Sequence, residues 1–404
     1  MVIKFLFFLL VPPLLSCQGS QKRTEKKAIL ELHSREDKGQ KVVNEGYNNR
    51  KSTDKVVEEE SVKASRNIVA KKATYQGDVS NVIKYLPANF SKKGDVDYTN
   101  FIQKAVNSEK KVILPNFPIA VNFKGINLQS NSILQFQEYS QLIMLPNNKE
   151  NYGLLNIRNK NNVTIISPNL LGDREAHIGK TGEWGMGINI LSSSNITIKK
   201  PKISKFWGDA IYLGRDKSGK TSNEDIIITG GVLSNNRRNG ISIISAKRLT
   251  ISYITIKDTK GTAPEAGIDL EPNDNIEELQ NIILQNVTTV GNRRGILIAL
   301  NHFGGNNRKK IDVQIDNHID NSSIYALGLA LQPKNQAISS PVEGNIRVSS
   351  ANWSNNQDPI QYYELKSNNI NVAIDDLVLS GQKKSISDVK KMYNNNKRIS
   401  IYGK

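Results

Sequence analysis

The chain reads as an all-β solenoid, a parallel β-helix, and two observations predict it. From Gly187 onward one phrase recurs, a small residue followed by two aliphatics that flank a variable position. It stands as Gly187-Ile188-Asn189-Ile190, Ala210-Ile211-Tyr212-Leu213, Gly240-Ile241-Ser242-Ile243, Gly267-Ile268-Asp269-Leu270, Gly295-Ile296-Leu297-Ile298 and Gly328-Leu329-Ala330-Leu331, with the small residues 23, 30, 27, 28 and 33 positions apart. Between these phrases lies a second short strand, seen in Asn195-Ile196-Thr197-Ile198, Asp225-Ile226-Ile227-Ile228, Arg248-Leu249-Thr250-Ile251 and Asn281-Ile282-Ile283-Leu284. A period of this size without long helical patterns marks coils that stack and bury one continuous aliphatic column.

The elements before the repeats follow in order. Phe101, Ile102, Ala105 and Val106 share one face of a helix. Lys111-Val112-Ile113-Leu114-Pro115 then makes a short strand, and Ile133–Leu145 and Asn162–Ile166 read as early coils. A helix is needed here because an open solenoid end exposes core and strand edges. After about Ser350 the repeats weaken into Asn-rich turns and close near Ile399-Ser400-Ile401.

Gly94-Asp95-Val96-Asp97-Tyr98-Thr99, the helix after it and the Val112-Ile113-Leu114-Pro115 strand resemble the N-terminal cap of the pectate-lyase-like superfamily. Gly-Glu-Trp-Gly-Met-Gly-Ile from Gly182, Phe206–Gly214 and Ala266–Asn273 resemble its bacterial polysaccharide-degrading members. The resemblance covers roughly residues 80–350 and implies a right-handed parallel β-helix. That superfamily holds glycoside hydrolases, polysaccharide lyases, uronan epimerases and non-catalytic members, so it does not choose the chemistry. Polygalacturonase-like enzymes carry a Gly-Asp-Asp run; here Gly208-Asp209-Ala210 lacks the second acid. The chain also lacks a Gly-His-Gly motif and the Asp-Pro-His signature of mannuronan epimerases.

Residues 1–17 read as an export signal. Lys4, the apolar run Phe5–Leu15 and Leu14-Leu15-Ser16-Cys17 resemble a bacterial lipobox, which implies lipidation at Cys17. Cys17 is the single cysteine, so neither a disulfide framework nor thiol catalysis is expected. The run is too short to span a bilayer, and Pro12-Pro13 would break a helix there. No inner-membrane retention residue follows Cys17, so an outer-membrane lipoprotein is expected. Residues 18–75 carry 14 Lys/Arg and 9 Asp/Glu with few aromatics and read as a disordered tether. Residues 76–404 are then the β-helix body.

The 404 residues carry a formal charge of +17, most of it in the body. Such a balance favours anionic partners. With no nucleic-acid module, Walker loop or zinc pattern in the sequence, an acidic polysaccharide is the expected partner of a monomer, and nucleic acid is not.

Strand alternation turns the aliphatics inward and the intervening positions outward. The outward columns read Asn189, Tyr212, Ser242, Asp269, Leu297, Ala330 and Leu191, Gly214, Ile244, Glu271, Ala299, Gln332. One coil presents two carboxylates, Asp269 and Glu271, with backbones about 7 Å apart. That spacing suits a general acid and a general base with a water between them, as in inverting glycosidases. The same pair could equally hold a hard cation such as Ca²⁺, or stand as a solvated strand edge. Asp209 is a third candidate acid.

The turn before each of these strands concentrates charge. Arg238, Glu265 and Arg293 occupy one position in successive coils, which predicts Glu265 sandwiched between arginines. Arg238 and Arg294 are expected to edge a groove and pair with substrate anions. The loop ahead of Gly187 carries His177, Glu183 and Trp184. Trp184 and Tyr212 are candidate sugar-stacking platforms, and His177 and Glu183 candidate substrate contacts; a turn-capping His177 and a Trp184 packed beneath the loop would be the structural alternative. His302 and His318 lack metal-ligand spacing and read as incidental.

The sequence thus points to a glycoside hydrolase with Asp269, Glu271 and Asp209 as acids. No cofactor and no metal are expected for it. A lyase on the same groove is the alternative, Ca²⁺-assisted and using Tyr212 or a basic side chain to take a proton. A non-catalytic glycan-binding protein is the third reading.

Overall fold

The computed structural model describes residues 80–218, 222–331, 342–362, 369–393 and 397–403. The readings made for residues 1–17 and 18–75, and for Gln332, lie outside these residues.

The body is a right-handed parallel β-helix. Successive coils each add up to three strands. One nine-stranded sheet contains Ile126–Asn127, Asn151–Arg158, Trp184–Leu191, Ile211–Gly214, Ile241–Ile243, Ala266–Leu270, Arg294–Ala299, Tyr325–Ala330 and Asp358–Tyr362, and we call it the front sheet. The second strands of the repeats, such as Ser194–Lys199 and Leu279–Gln285, form another parallel face. A third face is built of three-residue strands such as Lys202–Ser204 and Thr255–Lys257. Sequence reasoning missed that third strand because it carries one inward residue per coil, too few to show a period: Ile203, Leu233, Ile256, Thr289, Asp320 and Trp353. The long strand Asn369–Ser380 turns a corner and pairs with both of these faces.

Aliphatic stacking supplies the core. Ile188, Ile211, Ile241, Ile268 and Ile296 lie in register and are fully buried. Burying each such side chain stabilises the fold by about 1.5–3 kcal/mol. The small residue before each phrase has a steric cause. A Cβ on Gly240 would lie 2.5 Å from Gly267 O, and one on Gly267 would lie 2.6 Å from Gly295 O. The next coil's backbone passes directly over that position.

The last repeat departs from the expected frame. Leu297 pairs with Gly328 and Ala299 with Ala330, so Ala326 and not Gly328 continues the column of small residues. The phrase Gly328–Leu331 mimics the repeat two positions late, and Ala330 therefore belongs to the second outward column.

The N-terminal end is covered by the helix Thr99–Ser108, which buries Ile102, Ala105 and Val106. A second helix, Ile386–Tyr393, packs against the final strands with Val389 and Tyr393 buried. Its two buried positions sit in a polar, Lys-rich segment that gave no helical signal. Near this end His318 is a core residue: Trp353 Nε1 donates to its Nδ1 at 3.1 Å and its Nε2 lies 2.8 Å from Thr289 Oγ1. Burial pushes its imidazole down to about 3, so it stays neutral.

Candidate active site

The turns leading into the front sheet bring Asp209, Arg238 and Asn239 over the outward faces of Ser242 and Asp269. Asp209 precedes Ile211–Gly214, while Arg238 and Asn239 precede Ile241–Ile243. In register, the outward column runs Asn156, Asn189, Tyr212, Ser242, Asp269, Leu297, Gly328 and Gln361.

Asp209 is fully buried. Its Oδ2 accepts from Ser242 Oγ at 2.8 Å and Arg238 Nη1 at 3.2 Å, and its Oδ1 accepts from the Asn239 main-chain nitrogen at 3.0 Å. Burial raises its carboxyl above the ordinary range, and Arg238 works against that rise. Every oxygen of Asp209 is taken by the protein, which makes it a support for the turn and not a group open to substrate.

Asp269 is also fully buried, although its strand position faces away from the core. Its Oδ2 accepts from Asn239 Nδ2 at 3.1 Å, while its Oδ1 has no donor among the described residues. Burial, and next the neighbouring Glu271 carboxylate, raise the Asp269 carboxyl well above the ordinary range. The shift favours the protonated form of Asp269, with Glu271 as the neighbouring side chain able to accept that proton in a hydrogen bond. The two carboxyl groups stand close enough for Glu271 to act on Asp269 both by charge and by hydrogen bonding.

Glu271 is 31% exposed and faces solvent. Arg238 joins the carboxylates: Nη2 lies 3.2 Å from Glu271 Oε2, Nη1 3.2 Å from Asp209 Oδ2 and Nε 3.7 Å from Glu183 Oε2. Burial opposes its charge, but Asp209, Asp269, Glu271 and Glu183 together hold the guanidinium above its ordinary value. Arg238 was expected to pair with substrate anions. It is instead the internal counter-ion of the site, because three carboxylates already claim its nitrogens. Nor does it sandwich Glu265, which forms an ion pair with Arg293 at 3.7 Å.

Beside this cluster lies an open groove of about 560 Å³. Glu183, Arg238 and Glu271 line one part of it, and Pro264, Arg294 and Asn301 another. Leu297, Ala299 and Ala330 give it an apolar floor. Arg294 is braced by Gln361, whose Oε1 accepts from its Nε at 2.6 Å, and by Pro264 O, which accepts from Nη1 at 2.9 Å.

The remaining expected residues lie apart. His177 is no substrate contact in this fold: its side chain is fully buried, bonded through Nδ1 to Asp173 Oδ2 at 2.8 Å and stacked on Trp207 at 4.2 Å. Tyr152 closes the same cluster by donating to Asp173. Trp184 begins its strand 44% exposed, next to Glu183 but outside the lining of the groove. The Tyr212 ring lies against Gly214, where a Cβ would stand 2.3 Å from Cε1. Burial, then the Asp209 charge, raise its phenol, which opposes its use as the base of an elimination. Ca²⁺ fits poorly as well. Asp209 is saturated, Glu271 and Glu183 are claimed by Arg238, and among the described residues no group of three or more His, Cys, Asp or Glu side chains converges as a metal site. Asn239 and Ser242 were passed over as site residues. Their signal was their position, since Asn239 shares a turn column with Asp209 and Ser242 an outward column with Asp269.

No family model matches the chain. The uncharacterized protein YclG of Bacillus subtilis is 30% identical over 222 residues, covering 50% of this chain and 37% of YclG. The chain thus spans little more than a third of that curated relative. Among solved structures, the Streptococcus pneumoniae surface protein and adhesin PfbA is similar at a TM-score of 0.55 and 12% identity, covering 80% of this chain and 88% of PfbA. An exopolygalacturonase from Thermotoga maritima is similar at 0.54 and 13%, covering 75% and 87%. A tailspike of E. coli bacteriophage HK620, solved with a pentasaccharide, reaches 0.50 and 12%, covering 72% and 55%. These likenesses show the fold, a parallel β-helix like that of the polygalacturonase and tailspike structures.

Proposed function

We propose that this protein is a polysaccharide-active enzyme, a glycoside hydrolase that cleaves an acidic glycan in the groove of the front sheet. The observation that carries the reading is the Asp269–Glu271 pair, a buried carboxyl whose protonated form is favoured beside a carboxylate that reaches the groove. In the proposed reaction the pair's proton passes through Glu271 to the leaving glycosidic oxygen as the C–O bond breaks. A water adds to the anomeric carbon, and Glu183 takes the proton it releases. The apolar floor of Leu297, Ala299 and Ala330 suits the C–H face of a sugar ring, and the braced Arg294 suits a uronate or sulfate. The formal charge of +17 favours the same class of substrate. The exopolygalacturonase and the saccharide-bound tailspike on this fold lend support by analogy. Lipid anchoring at Cys17 in the outer membrane is part of the proposal on sequence grounds alone.

A second reading, glycan binding without turnover, draws on the complete burial of Asp209 and Asp269 beneath Arg238. Purified protein incubated with acidic and neutral polysaccharides separates the two. New reducing ends support hydrolysis, and retained binding without them supports the adhesive reading. Ultraviolet absorbance from unsaturated uronate would point to elimination.

A further inference from the structure

A second, separate groove crosses the C-terminal coils on the face formed by Leu279–Gln285, Lys309–Asp316, Val342–Ser349, Asn369–Ser380 and Ile399–Gly403. It consists of two adjoining depressions of about 390 and 170 Å³ that share Asn345 and Arg347. Lys310 and Arg347 line the first, while Arg347, Lys397 and Arg398 line the second. Against these four cations Asp312 is the one carboxylate in the lining. All four basic residues are exposed. Alternation turns Ile311, Val313, Ile346 and Val348 into the core, which leaves polar and charged side chains to form the groove. Asn371 Nδ2 donates to Asn345 Oδ1 at 3.2 Å, so amides step from coil to coil beside the cations.

We infer that this face is an anion-binding track for a linear acidic polysaccharide, distinct from the front-sheet groove. The track crosses five strands spaced about 4.8 Å apart, roughly 19 Å in all. That length matches a stretch of polymer and not a single small ion. Cations repeated along it meet repeated carboxylates or sulfates, and the amides meet hydroxyls. No aromatic residue lines it, so it lacks the stacking platforms with which proteins hold single-stranded nucleic acid. The proposal does not depend on turnover at Glu271. A body with such a track would stay on its polymer between cleavage events, or would adhere without cleaving.

The test measures affinity of the full chain for soluble polygalacturonate by calorimetry at two salt concentrations. The comparisons are the double variant R347Q/K397Q and the charge-matched K104Q/K110Q on and beside the N-terminal helix. The proposal expects R347Q/K397Q to lose tenfold or more in affinity and to show a shallower salt dependence. It expects K104Q/K110Q to bind as the unaltered chain does, all three proteins having the same melting temperature. It is overturned by absence of binding in the unaltered chain, by equal affinity in R347Q/K397Q, or by an equal loss in K104Q/K110Q. Tighter binding of oligothymidylate, lost in the same variant, overturns it too. Failure to release reducing ends speaks only to the front groove and leaves this measurement intact.

Discussion

The side-chain amide of Asn239 donates to Asp269 Oδ2 across 3.1 Å, while Asp269 Oδ1 has no donor among the described residues. The same residue's main-chain nitrogen donates to Asp209. One asparagine thus ties the turn to both buried acids. Asp269→Asn can keep the bond from Asn239 on its oxygen and donate an N–H to Glu271, imitating the protonated acid. Stability near pH 7 should change by less than about 1 kcal/mol, while turnover, if the site is hydrolytic, should fall by about 10²–10⁴. Denaturant midpoints and reducing-end assays on the one variant check both halves.

Arg238→Met leaves Asp209 buried beside no counter-charge. Breaking a buried pair from one side costs about 3–5 kcal/mol. The double variant D209N/R238M removes both charges and should recover most of that loss. Urea unfolding of the three proteins reads the coupling.

Glu277 sits buried in the loop after Ala266–Leu270, accepting from the Asn273 main-chain nitrogen at 2.6 Å. Burial raises its carboxyl from 4.5 to about 7. The folded chain therefore keeps a proton that the unfolded chain releases, and binds more protons between these values. Its contribution is fully present below about pH 4.5 and is lost as pH rises through 7. Glu277→Gln should remove this part of the pH dependence and become relatively more stable above pH 7. Melting temperatures of both proteins from pH 4 to 8 give the comparison.

Gly267→Val places a branched side chain where even a Cβ would lie 2.6 Å from Gly295 O and 2.8 Å from Thr289 Cγ2. Both neighbours belong to stacked coils, and one is backbone. The substitution should destabilise by about 1–3 kcal/mol or more, seen as a lower denaturant midpoint.

Much of the scaffold was legible because the solenoid repeats one steric problem. Small residue, inward aliphatic, outward residue, inward aliphatic was enough to place Asp269 on its strand, with Glu271 falling just past the strand end, Asp209 and Arg238 in the turns before neighbouring strands, and Arg294 opening the next one. The pattern misled where it recurred by chance, as at Gly328, since local phrases carry no information on which neighbour they pair with. Burial was hidden as well. An outward side chain was taken to be solvated, but the turn carrying Arg238 and Asn239 folds over Ser242 and Asp269. His177 was obscure for a related reason: Asp173 is four residues away, but Tyr152 and Trp207 reach it from strands and turns distant in sequence.

The most direct test of the central claim is reducing-end release from polygalacturonate and other acidic polysaccharides by the unaltered protein and by E271Q. The account predicts release without ultraviolet absorbance, and its loss by at least a hundredfold in E271Q with binding retained. Undiminished cleavage by E271Q, or product that absorbs as unsaturated uronate, would contradict it.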